Sequence, residues 1–96
     1  MQLKLVNRGE SAEVLMIGRM DVNAAPEVEK NLLEVAKRFQ EVVLNLEQLE
    51  YISSAGLRSL RSLYIAMSQK SGKMSVINVP KQIMDIFEVT GFAFFL

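Results

Sequence analysis

Apolar and polar positions follow two different periods along this chain, and each change of period marks an element. Leu3-Lys4-Leu5-Val6-Asn7 alternates weakly and predicts a first strand, which runs into the turn-like Asn7-Arg8-Gly9-Glu10. Val14-Leu15-Met16-Ile17 is a second apolar run, stopped by Gly18. Two short runs about a glycine-containing turn predict a β-hairpin. The period then lengthens: Val28, Leu32, Val35, Ala36 and Phe39 share one helical face, with Glu27, Glu29, Lys30, Glu34, Lys37 and Arg38 largely outside it. Pro26 suits the first turn, where its missing N–H costs nothing, and Asn23 has the chemistry of the N-cap.

Val42-Val43-Leu44-Asn45-Leu46 is short, apolar and rich in β-branched residues, and so predicts a buried strand. Beyond it Leu57, Leu60, Leu63, Tyr64 and Met67 fall on one helical face. The change of period sits at Ser53-Ser54. Either serine can cap the helix, because a hydroxyl oxygen there accepts from the free N–H groups of the first turn. Those N–H groups and the positive end of the helix dipole also favour an anion, so a hydroxyl there is well placed to carry a phosphate. On chemistry alone such a serine is more often just a cap.

The second helix is expected to run to about Ser71, with Gly72 as its left-handed stop. Met74-Ser75-Val76-Ile77-Asn78-Val79 predicts another strand. Pro80 opens a last helix with Ile83, Met84, Ile86, Phe87 and Val89 inward, Gly91 ends it, and residues 92–96 form an apolar tail. The order is β-β-α-β-α-β-α, with room for a short final strand, and calls for a mostly parallel or mixed sheet with right-handed crossovers. Val43, Leu44 and Leu57 are expected in the core. Arg58, Arg61, Ser62, Ile65 and Gln69 line the outward face of the second helix, where Ile65 is either an ordinary exposed apolar residue or an anchor for a partner.

Composition narrows the chemistry. Ninety-six residues suffice for one domain, 1–96, with a single core. No apolar run nears the roughly 20 residues that span a bilayer and no signal segment opens the chain, so a cytoplasmic protein without a membrane segment is expected. Eleven acidic and eleven basic residues balance, which weighs against direct nucleic-acid binding and permits a homodimer without requiring one. Histidine and cysteine are both absent, removing the commonest general base, the commonest zinc ligand and any thiolate. No glycine-rich phosphate cradle is present. An enzyme is not expected, nor a cofactor or a metal.

The run Leu49-Glu50-Tyr51-Ile52-Ser53-Ser54-Ala55-Gly56-Leu57 resembles the signature of the STAS domain, the module of sulfate transporters and anti-sigma factor antagonists. Gly18-Arg19-Met20-Asp21 and Val89-Thr90-Gly91-Phe92 extend the resemblance over nearly the whole chain. It implies a STAS-like α/β fold, a four- to five-stranded mixed sheet with helices packed mainly on one face. It also implies a non-enzymatic regulatory module similar to the anti-sigma factor antagonists, which binds an anti-sigma serine kinase of the GHKL type and is switched off by serine phosphorylation. Ser54 aligns with the acceptor, and Ser53, standing where many members have Asp, is its rival. Asp21 matches a loop acid expected near the acceptor, and by residue type it is equally a turn residue that bonds neighbouring backbone N–H groups. Asn23 is left to cap the first helix, since Ala24 stands where members often have Thr. Gly56 would let the helix start pack tightly on a neighbour or a partner. Asp21, Asn23, Ser53, Ser54, Gly56, Arg58, Arg61, Ser62 and Ile65 are thus the candidate partner surface. The alternatives are a scaffold or assembly subunit in which the serines are structural and, less favoured, a small nucleotide-binding domain.

Overall fold

A tight turn joins β1 (Gln2–Asn7) to β2 (Ser11–Met20). Asn7 Oδ1 accepts from the Gly9 N–H at 2.9 Å, and Gly9 takes a φ of +89°, which costs glycine nothing. The structure, a computed structural model, describes residues 1–92; residues 93–96 of the expected tail lie outside the described residues. Gly18 does not stop β2 as its run predicts. The strand continues to Met20 through an irregularity between Gly18 and Arg19. That break lets one long strand serve two neighbours. Residues 11–15 lie parallel to β3 (Glu41–Asn45), and Gly18, Arg19 and Met20 lie parallel to β4 (Leu49–Ile52). β5 (Lys73–Ile77) pairs in parallel with β3, giving the order β1-β2-β3-β5 with β4 beside the far end of β2.

The mixed five-stranded sheet is the expected architecture with one strand more than the apolar pattern predicts. β4 is four residues long, and only its end residues, Leu49 and Ile52, are buried. It therefore shows no alternation to read.

Three helices, α1 (Ala25–Arg38), α2 (Ser54–Gln69) and α3 (Lys81–Thr90), send their apolar stripes into one core cluster. Val28, Leu32, Ala36 and Phe39 are buried as expected, and so are Leu60, Leu63 and Met67. Asn23 is not the cap of α1. Ala24 occupies that position, and Asp21 Oδ1 accepts the Ala24 N–H at 2.8 Å. The acid thus satisfies the local backbone, and Asn23 is left exposed. Leu44 is buried, but Val43 and Leu57 are half-buried. Val43 follows the strand's alternation onto the opposite face. Val89 is 87% exposed, because two residues past Phe87 is about 200° round the helix.

Gly91 closes α3 with a φ of +78°, as expected. Gly72 has a different task from the one its type suggests. Ser71 takes the left-handed conformation, at a φ of +58°. At Gly72 a Cβ would stand 2.8 Å from both the Gln40 carbonyl oxygen and Met67 Cε.

α1 and α2 are tied at both ends. The Ser59 hydroxyl lies 3.2 Å from the carbonyl oxygens of Ala25 and Ala55. At the far end Lys70 Nζ donates to Ala36 O at 2.7 Å and Phe39 O at 3.0 Å. That ammonium satisfies free carbonyls at the negative end of the α1 dipole. On the sheet face away from the core, Arg8 and Asn45 each donate at 3.0 Å to the Glu13 carboxylate, and Asn78 donates to Asn45 Oδ1 at 3.3 Å. The Asn45 hydrogen bond, and then that of Arg8, hold Glu13 below the usual carboxylate range.

Two predictions follow from this packing. Because folding lowers the Glu13 pKa, its contribution is complete above the unfolded-state value of about 4.3 and is lost as pH falls through the lower folded value. The difference in thermal midpoint between the native chain and Glu13→Gln, followed by circular dichroism, should shrink toward zero between pH 6 and pH 3. A pH-independent difference would show that the charge is not involved. The second concerns Gly56, where a Cβ would stand 2.6 Å from Met20 Sδ and 2.8 Å from Ile52 Cγ1. Removing a helical glycine gains up to about 1 kcal/mol, whereas overpacking a tight core costs about 1–3 kcal/mol. Gly56→Ala should therefore be a net loss of about 1 kcal/mol, read as a lower urea midpoint with unchanged slope. A higher midpoint would mean that Met20 repacks freely.

Candidate functional site

β2 and β4 end side by side. Met20 is paired with Ile52, and the Ser53 N–H donates to the Met20 carbonyl at 2.9 Å. The next residue of one chain segment is Asp21 and of the other is Ser53, so both leave the sheet at the same end. From there one segment turns into α1 and the other into α2.

The two serines are not equivalent. Ser53 has extended backbone angles, is only 6% exposed, and accepts the Gly56 N–H on its Oγ at 3.1 Å. It is the N-cap. Ser54 is the first residue of α2, is exposed, and its hydroxyl makes no hydrogen bond among the described residues. One hydroxyl is committed and covered, and the other is free and accessible. Gly56 is buried beneath them against Met20 and Ile52, which is how the first turn of α2 comes so close to the strand ends.

Asp21, Ser53, Ser54 and Gly56 therefore gather at one end of the sheet. Arg58 and Ser62 lie one and two turns along α2. With Ala25, Pro26, Glu29, Ala55 and Ser59 they line a groove of about 270 Å³ between α1 and α2. On the α3 side Leu57, Arg58, Arg61, Thr90 and Phe92 border a second hollow of about 310 Å³. Ile65 is 40% exposed. At 1.5 Å per residue it stands about 16 Å along the helix from Ser54, so it is not part of the turn itself. Asn23 is exposed on the loop between β2 and α1.

Two exposed residues near this end escape the sequence patterns. Val22, 64% exposed, lies in the loop after β2. Tyr51 stands opposite Arg19 in the β2–β4 register, with the guanidinium 4.6 Å from its ring centroid. A cation over an aromatic face is attracted by the ring quadrupole. Its sequence signal lay in that register and could be seen only by recognising β4. Among the described residues, no cluster of three or more acidic side chains is placed to hold a metal ion. None of their helices is long and apolar enough to cross a membrane.

The sequence matches the family model of the STAS domain over residues 5–96. It is 30% identical over 80 residues to the anti-sigma-B factor antagonist of Staphylococcus aureus, an alignment covering 82% of this chain and 74% of that protein. Its fold is similar to that of the anti-sigma factor antagonist SpoIIAA in its unphosphorylated form, with a TM-score of 0.74 at 18% identity over 91% of this chain and 80% of that one. The Bacillus cell fate determinant SpoIIAA in its phosphorylated form gives a TM-score of 0.78 at 15% identity, covering 96% of this chain and 86% of that one. At such identities the structural likeness speaks for the fold, while the sequence matches speak for the family. The chain belongs to the STAS domain family, among its anti-sigma factor antagonists.

Proposed function

We propose that this chain is a non-enzymatic binding module, a single domain over residues 1–96, that holds an anti-sigma serine kinase of the GHKL type while Ser54 is unmodified. Phosphorylation of Ser54 ends the binding. The observation that carries the proposal is the inequality of the two serines: Ser54 is exposed with a free hydroxyl, while Ser53 is buried and occupied as the cap. Further support comes from the relatives, anti-sigma factor antagonists of which SpoIIAA exists in unphosphorylated and phosphorylated forms. Cytoplasmic placement belongs to the same proposal, since sigma factors act on transcription inside the cell.

In the phosphorylation step Ser54 Oγ displaces ADP from the γ-phosphorus of ATP, and the hydroxyl proton passes to a base of the kinase. This chain contributes the acceptor alone. It has no histidine, and the Asp21 carboxylate is engaged with the Ala24 N–H. The product carries about −1.5 to −2 charges where the hydroxyl had none. Within a docked surface that charge must be desolvated, so binding weakens. Asp21, Asn23, Ser54, Arg58, Arg61, Ser62 and Ile65 supply the side chains of the proposed surface, and Ser53 and Gly56 shape it from beneath. The scaffold alternative draws on Ser53 and Ser59, whose hydroxyls are both buried in hydrogen bonds that hold the fold.

Incubation of the full chain with its kinase and ATP, followed by mass spectrometry, should place one phosphate on Ser54. Ser54→Ala should abolish incorporation yet keep binding to the kinase, and Ser54→Asp should weaken that binding. Phosphate on Ser53 would overturn the assignment, and phosphate on neither serine would favour the scaffold. The surface has its own test. Ile65→Asp should change stability by less than about 0.5 kcal/mol, as exposed substitutions do, while weakening the kinase complex. An unfolded variant, or one that binds normally, would remove Ile65 from the surface.

A further inference from the structure

Resting on that reading of Ser54, we propose that Arg58 clamps the phosphoryl group once Ser54 carries it, so that modification removes both a neutral hydroxyl and a free arginine from the partner surface. Ser54 and Arg58 are four residues apart on α2 and both are exposed. Residues so spaced stand on one helix face with Cβ atoms about 5–6 Å apart, and an anion preceding its cation is the favoured order. A guanidinium offers phosphate two parallel N–H donors, which an ammonium cannot match.

Other cations near the ends of α2 are engaged. Arg19 lies over the Tyr51 ring, and Lys70 is held by the α1 carbonyls. Arg58 has no hydrogen-bond, ion-pair or ring partner among the described residues. Glu29 borders the same groove without pairing with it. Arg58 borders hollows on both sides of α2, so its side chain can swing without displacing packed neighbours. Among the first-turn backbone donors, Ser53 takes the Gly56 N–H on its Oγ and the Leu57 N–H on its carbonyl, which leaves the Ser54 and Ala55 N–H groups to share the phosphate with Arg58.

The clamp changes what a partner meets. Before modification the surface offers a small hydroxyl and an exposed, unpaired cation. Afterwards it offers a bulky phosphate whose remaining charge faces outward and an arginine turned along its own helix. A partner that uses an acidic group to hold Arg58 loses that contact at the moment it gains a repulsion.

The test uses the full chain with phosphoserine incorporated at position 54 during translation, so no kinase is needed, and follows the phosphate by ³¹P NMR across pH. Its second ionisation should fall roughly half a unit below the ordinary value of about 6. Arg58→Gln should abolish that lowering, Arg58→Lys should keep part of it, and Arg61→Gln, two turns away, should leave it intact. Equal titration in the native chain and Arg58→Gln would overturn the clamp, as would a lowering that Arg61→Gln abolishes. Failure of the underlying reading would appear elsewhere, as absence of phosphate on Ser54 after treatment with kinase and ATP.

Discussion

The hydrogen bond from the Ser53 N–H to the Met20 carbonyl, 2.9 Å long, carries the parallel pairing of β2 and β4 one residue beyond their last strand positions. Ser53 then makes two more bonds, accepting Gly56 N–H on its hydroxyl and Leu57 N–H on its carbonyl. One residue thus ends a strand, starts a helix and fixes the angle between them. Beneath it Gly56 lies against Met20 and Ile52, the pair that the same register brings together. With Ser53 pinned from three sides, Ser54 has no freedom to turn inward. Its exposure follows from its neighbour's burial.

Farther out, the two helices that frame the groove owe their spacing to contacts near both ends. Ser59 reaches the first turn of α1, and Lys70 reaches its last carbonyls. Between them the buried stripes of α1 and α2 join the same core cluster. A groove held in this way keeps its width, and its variable parts are the side chains along its rim, the half-buried Glu29 and the exposed Arg58 among them.

Much of the fold was legible because helical stripes are redundant. Val28, Leu32, Ala36 and Phe39 repeat one message, as do Leu60, Leu63 and Met67, and tertiary packing has no competing use for them. Failures came where one residue type serves several physical tasks. Glycine marks a left-handed residue at Gly91 but a close backbone approach at Gly72. Asn23 and Asp21 both have capping chemistry, and the path of the loop decides between them. At the site, Ser53 and Ser54 are chemically identical, so their difference in accessibility could not be read from the chain. It is set by the register of β4, the strand too short to show a period.

Ser53 stands where the family resemblance would often place an aspartate, and the geometry gives that exchange a physical meaning. An aspartate at the N-cap could accept the Gly56 N–H as Ser53 does, but it would bring a full negative charge to the residue before the proposed acceptor. A phosphate arriving on Ser54 would then meet a like charge next door, and repulsion would tend to turn it toward solvent. The serine cap keeps the backbone bond and removes the charge. On the proposed reading, the phosphate in this chain is free to fold back along α2 toward Arg58 rather than being pushed outward. The departure from the family pattern at Ser53 and the unpartnered cation at Arg58 therefore act in the same direction, each lowering the electrostatic cost of carrying a phosphate close to the helix.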